Sequence, residues 1–229
     1  MKIAVVGKEI EELKEKVKEK GFEYNEENPE IVICYGGDGI FLIAERIYSG
    51  IPKILVKGSP ISNKGHETKI EEVLGKFNKK EFEVQEIKKL KAVYQGAFET
   101  RSLVGVNDIV IRNSLPTEAL RFKLKVKNFE KDFIGDGLVI ATNYGSSQGA
   151  YFYSIARKEF EKGIGIAFNN ITKKQESKIV SEDNKIEIEI TRGPGVLVAD
   201  NNRDYINLEK GDKIKIFQTN EIAKRIILK

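Results

Sequence analysis

The start of the chain combines a short apolar run with a helically spaced segment. Residues 3–6, IAVV, form the run and are followed by a glycine. Ile10, Leu13 and Val17 then recur at the spacing of one helix face inside a charged segment that ends at Gly21. A buried run followed by an amphipathic segment that stops at glycine predicts a strand and then a helix.

The next segment again combines a short apolar run with a helically spaced segment. Residues 31–34, IVIC, form another short apolar run, which is typical of a buried parallel strand, and the loop Gly36-Gly37-Asp38-Gly39 comes next. IFLIAERIY then has a helical period, and residues 54–56, ILV, predict a third strand. Strand, helix and strand at this spacing predict a Rossmann-like α/β domain.

From about residue 82 the period changes from helical to alternating. Apolar and charged residues take turns in FEVQEIKKLKAVYQGAFE, RFKLKVK, KIEIEI and KIKIF, as in antiparallel strands with one buried face. We therefore predict an α/β domain over residues 1–85 and an antiparallel, β-rich domain over residues 86–217. The final segment, 218–229, is apolar enough for a strand that can pack back on either domain.

Composition narrows the class of protein. The 229 residues are 40% hydrophobic and 32% charged, with a formal net charge of 39 − 35 = +4, which is typical of a soluble globular protein. No apolar run reaches the roughly 18 residues of a membrane span, and the first residues turn charged too early for a secretory signal. We expect a cytoplasmic protein with no membrane partner. Both signs of charge are interspersed, which argues against a nucleic-acid partner.

The chain has a single cysteine, Cys34, and a single histidine, His66. These counts exclude an intramolecular disulfide and the usual Cys/His zinc sites, so that any metal must be held by oxygen ligands. We expect Cys34 in the core and His66 in a surface loop. A bias toward Lys, Glu and Ile, with no Trp and one Met, is typical of hyperthermophile proteins, so we expect a thermophilic source.

The loop Gly36-Gly37-Asp38-Gly39 lies between a predicted strand and a predicted helix. This is where α/β sheets bind ligands and where a helix N-terminus offers N–H groups to phosphate. Glycines let the main chain approach an anion closely, and Asp38 is suited to accept a proton from an attacking hydroxyl or to hold Mg²⁺. An ordinary Asp-Gly turn explains the tetrapeptide equally well.

Two further segments combine turn residues with polar side chains. Asn107-Asp108 precedes the run IVIR, and an adjacent amide and carboxylate can bind the two hydroxyls of a ribose. Gly135-Asp136-Gly137 precedes LVIAT, which leads into residues 143–151, where small residues and hydroxyls are concentrated. A Gly-Ser-Ser turn there can form an anion or ribose cradle, with a nearby tyrosine to stack on a base. Ordinary turns and a hydrated surface loop remain the alternatives.

Taken together and in this order, these segments resemble the NAD kinase family. The resemblance spans most of the chain and rests on an ordered set of motifs. They are Gly-Gly-Asp-Gly at 36–39, Asn107-Asp108 with IVIRN, GDGLVIAT at 135–142, the Gly145-Ser146-Ser147 turn, and VADNNRDYINLEKGDKIKI at 198–216. The resemblance implies an NAD kinase-like fold, with an α/β domain followed by a β-rich nucleotide-binding domain.

The resemblance also implies a reaction and a set of site residues. The reaction is Mg²⁺-dependent transfer of a phosphoryl group from ATP or inorganic polyphosphate to the 2′-hydroxyl of the adenosine ribose of NAD, giving NADP. By analogy Asp38 is the base, and Gly36, Gly37 and Gly39 serve the phosphates. The implied NAD-binding residues are Asn107, Asp108, Asp136, Gly145, Ser146, Ser147, Ala150, Tyr151 and Ser154. No residue is assigned as a metal ligand, and a homodimer or homotetramer is expected.

Two other functions are compatible with the same sequence. A catalytically silent relative would bind or sense NAD(P) without transferring phosphate. A kinase of the same superfamily would act on a lipid or on another nucleoside, and a lipid acceptor would require an exposed apolar groove.

Overall fold

A computed structural model of the chain describes residues 1–57, 65–147 and 159–229. The chain divides into two compact units, one formed by Met1–Ile87 with Glu221–Lys229 and the other by Lys88–Asn220. None of the helices in the described residues has the length and apolarity of a membrane-spanning segment.

Helices and strands alternate at first, and strands then dominate. The first elements are β1 (Lys2–Gly7), α1 (Ile10–Glu19), β2 (Glu23–Tyr24), β3 (Ile31–Gly36), α2 (Asp38–Ile47), β4 (Pro52–Lys57), α3 (Ile70–Lys79) and β5 (Phe82–Gln95). Next come β6 (Thr100–Gly105), β7 (Asp108–Asn113), β8 (Leu120–Val126), β9 (Phe129–Gly135), β10 (Gly137–Ala141) and α4 (Asn143–Ser146). The last are β11 (Ile164–Asn169), β12 (Lys178–Val180), β13 (Ile186–Arg192), β14 (Gly195–Ala199), β15 (Ile206–Leu208) and β16 (Lys213–Leu228).

The first unit is an α/β arrangement around parallel strands. Its strands follow the order β2-β1-β3-β4-β16, and each neighbouring pair is parallel. The predicted strands at 3–6, 31–34 and 54–56 are confirmed. The predicted apolar face of α1 is confirmed too, because Leu13 and Val17 are buried in the core beside the sheet. The end of β16 contributes Ile226, fully buried in the same core.

A buried ion pair fixes the end of α2 to β4. Lys53 and Glu45 are 0% and 3% exposed, and Nζ lies 2.6 Å from Oε2. The ammonium also donates to the carbonyls of Tyr48 and Ile51, at 2.5 and 2.6 Å. Because a buried charge without partners is strongly unfavourable, these contacts explain how a lysine is accommodated in a parallel sheet.

The second unit is built from antiparallel strands. One sheet has the order β12-β11-β10-β7-β14-β15, and a second set pairs β16, β13, β8 and β9. The apolar faces of both sets meet in one core cluster, in which Phe122 and Ile188 lie with Ile111 and Ile140. The strands β10 and β7 are buried on both faces, which explains their continuous apolar sequence.

Two sequence expectations need correction. Helix α3 is absent from the predicted elements, although its buried residues Ile70, Val73, Leu74 and Phe77 have helical spacing. His66 is not a plain surface residue. It is partly buried and forms a parallel bridge with Val56, in which its N–H donates to Leu55 O at 2.8 Å.

Candidate functional site

The glycine loop in the first unit joins β3 to α2. Gly36 has a φ of +149°, and a Cβ there would lie 2.9 Å from Cγ1 of Ile40. Gly37 precedes the helix in an extended conformation, and a Cβ there would meet no atom of the described residues within 4 Å. The main-chain conformation at position 36 therefore requires glycine. At Gly37 the absence of a side chain leaves space beside the main chain.

Asp38 is the first residue of α2, at the carboxyl end of a parallel strand. The N-terminal end of a helix carries partial positive charge, which favours negative groups near it. The carboxyl ends of strands are also where open α/β sheets place their ligands. The loop thus brings together an open main-chain surface, a helix N-terminus and a carboxylate, the combination expected for proton acceptance beside a phosphate.

Cys34 lies on the adjacent strand β3 but does not take part in chemistry. Its side chain is fully buried, and burial raises the pKa of the thiol to about 12. The thiol is therefore protonated at neutral pH and cannot act as a nucleophile. The prediction that Cys34 is a core residue is confirmed.

In the second unit, the loop that carries Asn107 and Asp108 is held by a distant aspartate. The carboxylate of Asp200 accepts hydrogen bonds from the main-chain N–H groups of Val106, Asn107 and Asp108, at 2.8, 2.7 and 3.2 Å. The sequence patterns do not single out Asp200. Its partners lie 92 to 94 residues away, so no local pattern could have indicated it.

The main-chain carbonyls of the same loop accept hydrogen bonds from the turn after β10. Thr142 donates from Oγ1 to Val106 O at 2.7 Å and from its N–H to Asn107 O at 2.9 Å. Gly145 packs so closely that a Cβ there would lie 2.0 Å from Asn107 O. The structure therefore brings the loop that carries Asn107 and Asp108 into contact with the turn that carries Gly145.

The side-chain oxygen of Asn107 is a buried acceptor in this cluster. Asn107 Oδ1 is buried and has no hydrogen-bond partner among the described residues. Leaving a buried acceptor unsatisfied costs roughly 1–3 kcal/mol. A buried acceptor without a partner is suited to accept a hydrogen bond from an N–H or O–H group of a ligand.

The serine hydroxyls differ from the predicted cradle. Ser146 Oγ donates to Asn143 O and Ser147 Oγ donates to Tyr144 O, each at 2.7 Å. Their hydrogens are therefore committed to the main chain, and the two oxygens remain only as acceptors. In this arrangement the two hydroxyls offer no O–H donor to an anion, and the binding role of the turn stays a prediction. Ala150, Tyr151 and Ser154 lie outside the described residues.

Asp136 lies apart from the Asn107 cluster. It precedes β10, whose far end, Ala141, pairs with Asp108. The two ends of this ladder, at Gly137 and Ala141, are four residue steps apart, or roughly 13 Å. The Asp136 carboxylate accepts a hydrogen bond from Asn170 Nδ2 at 3.1 Å. The second unit thus presents two separate polar positions, a spacing that suits an elongated ligand.

A divalent cation would have few protein ligands here. Among residues 1–57, 65–147 and 159–229, no group of three or more acidic, histidine or cysteine side chains could hold a metal ion. Mg²⁺ in phosphoryl-transfer sites is commonly held by one or two carboxylates together with substrate phosphates and water. A single carboxylate beside open main chain, as at Asp38, fits such an ion.

Comparison with known proteins places the chain near the NAD kinases. No protein-family profile matches the chain. NAD kinase 1 of Bacillus anthracis is 28% identical over 143 residues, which cover 59% of this chain and 54% of that protein. NAD kinase of Staphylococcus aureus (strain Newman) is 34% identical over 133 residues, covering 53% and 48%. The chain spans about half the length of the curated relatives it matches.

Solved structures extend the likeness to the whole chain. An NAD kinase from Archaeoglobus fulgidus in complex with ATP superposes with a TM-score of 0.80 at 20% identity, over 100% of this chain and 94% of that one. Yeast NADH kinase complexed with NADH gives a TM-score of 0.83 at 12% identity, over 100% and 84%. The predicted NAD kinase-like fold is confirmed.

Proposed function

We propose that this protein is an NAD kinase, which transfers a phosphoryl group from ATP to the 2′-hydroxyl of the adenosine ribose of NAD. The observation that carries the proposal is the position of Asp38, on the first turn of α2 directly after the open Gly37. The likeness to NAD kinases over half of the sequence, and to an ATP-bound NAD kinase structure, supports the choice of substrates.

The proposed reaction needs little covalent work from the protein. The O2′–P bond forms while the bond between the γ-phosphorus and the bridging oxygen breaks, and ADP leaves. Asp38 accepts the hydroxyl proton, and the open main chain at Gly37 leaves room for the donor phosphates. Gly36 and Gly39 remain proposed phosphate-binding residues. Positioning and charge neutralisation supply most of the acceleration in this class of reaction. Donor phosphates and Asp38 would hold Mg²⁺, which neutralises the charge on the phosphates when bound.

The second unit is proposed to bind NAD. Asn107 Oδ1 accepts a hydrogen bond from a ligand hydroxyl or amide, and Asp108 lies beside it. The turn Gly145-Ser146-Ser147 contacts the adenosine through acceptor oxygens. Asp136, at the other end of β10, serves the second half of the dinucleotide. Ala150, Tyr151 and Ser154 remain proposed adenosine contacts.

The experiment incubates the purified protein with NAD, Mg²⁺ and either ATP or polyphosphate, and measures NADP with an NADP-specific dehydrogenase. We expect NADP from the wild type. Asp38→Asn should lower turnover by about 10² or more and leave the affinity for NAD within a few-fold. Asp132→Asn, which changes an exposed carboxylate on β9, is the matched control and should keep full activity.

The same assay separates the alternatives. Binding of NAD without NADP formation would support the silent sensing relative instead. Loss of NAD binding in Asp38→Asn would make Asp38 a ligand contact and remove its role as base. Comparing the two donors decides whether polyphosphate is used. A homodimer or homotetramer is also proposed, since β9, β12 and β15 end their sheets as edge strands that commonly need protection.

A further inference from the structure

In the second unit, the buried carboxylate of Asp200 accepts hydrogen bonds from a loop far away in the sequence. The residue follows β14, is 7% exposed, and has a φ of +50° in the left-handed region. Its Oδ2 accepts from Val106 N–H, and its Oδ1 accepts from Asn107 and Asp108 N–H. One carboxylate thus binds three successive main-chain donors, a cluster usually found around a bound anion.

The sheet alone does not require this contact. The pairing of β14 with β7 runs from Gly195 opposite Asn113 to Ala199 opposite Ile109, and Asp200 N–H continues it by donating to Asp108 O at 3.0 Å. Val106 and Asn107 precede β7 and have no ladder partner on that strand. The carboxylate therefore supplies the hydrogen bonds that the sheet does not provide to this loop.

Both main-chain polar groups of Asn107 are consequently used inside the protein. Its N–H bonds to Asp200, and its C=O accepts from Thr142. The main chain of Asn107 has little freedom left, so the direction of its Cα–Cβ bond, from which the side chain starts, is set by these contacts. These contacts therefore limit the positions that its buried Oδ1 can take, and that oxygen has no hydrogen-bond partner among the described residues.

We propose that Asp200 is a positioning residue for nucleotide binding. It acts through the loop Val106–Asp108 by fixing the place at which Asn107 Oδ1 accepts a hydrogen bond from the dinucleotide. The inference rests on the proposed function for the identity of the ligand, and goes beyond it by naming a residue that touches no ligand and still sets its affinity.

The most informative substitution is Asp200→Asn. Asparagine has the same shape and tolerates the left-handed region better than most residues. Its Oδ1 can still accept from Asn107 and Asp108, but its NH₂ group faces the Val106 N–H, so a donor meets a donor. The variant removes the negative charge and one hydrogen bond while keeping the packing.

Asp212→Asn is the matched control. Asp212 is also 7% exposed and lies in the same unit. Its Oδ2 accepts from Glu209 N–H at 2.8 Å and from Tyr94 OH at 3.2 Å, so it stabilises a different turn. Substitution of either aspartate should lower the melting temperature, whereas only Asp200→Asn should affect the nucleotide site.

The test measures the dissociation constant for NAD by isothermal titration calorimetry, at a temperature where all variants are folded. We expect the dissociation constant to rise about tenfold or more in Asp200→Asn, because a less firmly held loop takes the binding conformation for a smaller fraction of the time, and to stay within about twofold in Asp212→Asn. Equal losses in the two variants, or none in Asp200→Asn, would overturn the inference, because Asp200 would then be only a structural residue.

A double-mutant cycle decides whether Asp200 acts through Asn107. Asn107→Ala removes the acceptor, so adding Asp200→Asn should then weaken NAD binding by less than about threefold further. Fully additive losses would show that Asp200 works elsewhere and would contradict the proposed route.

The outcome for this inference is separable from that for the proposed function. NAD binding with the expected cycle, but no NADP from the wild type, would refute the kinase and support the role of Asp200. NADP formation by the wild type, together with an unchanged affinity for NAD in Asp200→Asn, would support the kinase and refute the role of Asp200. A wild type that binds no NAD would refute both.

Discussion

At the scale of single residues, His66 shows how an environment alters a side chain that the sequence places in a loop. Its main chain pairs with the end of β4, and Lys57 N–H donates to its carbonyl at 2.8 Å. Burial lowers the pKa of the imidazole from its usual 6.5, and the positive charges of Arg225 and Lys76 lower it further. A hydrogen bond with the main chain of Ile226 acts in the opposite direction, more weakly than burial.

This environment makes stability depend on pH in a defined window. The unfolded chain binds a proton on His66 more readily than the folded chain, so acid favours unfolding as pH falls below about 6.5. We expect the Tm of the wild type to fall between pH 6.5 and 5, and to fall less in His66→Gln. Thermal melts monitored by circular dichroism at several pH values check this.

The single histidine makes that experiment clean, because no other imidazole is present. The paired carboxylates Glu67 and Glu71 have pKa values lowered below 4.5 by Lys57 and Lys16, so they contribute only in more acidic solution. Identical pH dependence in the two proteins would show that His66 does not control stability in this window.

At the scale of elements, the junction of β3 and α2 assigns different tasks to two neighbouring glycines. Gly36 is needed for its conformation, whereas Gly37, with φ −88° and ψ 174°, has a conformation that any residue can adopt. Gly36→Ala should therefore lower the free energy of unfolding by about 1 kcal/mol or more. Gly37→Ala should leave it within about 0.5 kcal/mol of wild type and raise the KM for ATP, because a methyl group occupies the space that phosphate needs.

Chemical denaturation and initial-rate kinetics measure the two effects, with each variant serving as the control of the other. A normal KM for ATP in Gly37→Ala would place the donor phosphates away from this loop.

The limits of prediction from sequence also appear at the scale of elements. The strands and helices whose patterns are local agree with the structure, and the GGDG loop lies between β3 and α2 as predicted. Helix α3 is an exception, because its buried residues Ile70, Val73 and Phe77 have a helical spacing that the sequence shows and the predicted elements omit. Asp200 lies in the motif at 198–216, but its contacts could not be predicted, since they depend on strand pairing that brings distant residues together.

At the scale of the whole molecule, the chain forms its first unit from both of its ends. Lys224 and Arg225 of β16 pair in parallel with Pro52 and Lys53 of β4, and Lys229 N–H donates to Glu81 O at 3.1 Å. The core cluster of the second unit, among the described residues, contains none of residues 221–229. The last nine residues therefore support one unit specifically.

Deleting residues 221–229 should destabilise the first unit selectively. The deletion removes the fully buried side chains of Ala223 and Ile226 and leaves the edge of β4 unpaired. We expect a loss of more than about 3 kcal/mol from that unit. Hydrogen exchange should accelerate in β1, β3 and β4 and stay slow in β7 and β10. Lys229→Ala, which keeps the strand, is the control. Uniform acceleration in both units would contradict the prediction.

Because β16 returns to the first unit, it also determines how the two units can be expressed separately. A reading frame that encodes residues 1–87 produces the α/β unit without the strand that completes its sheet, whereas residues 88–220 form a continuous insert. Expression of the α/β unit by itself would need residues 221–229 joined to residue 87 through a short linker, or a circular permutation that places them before residue 1.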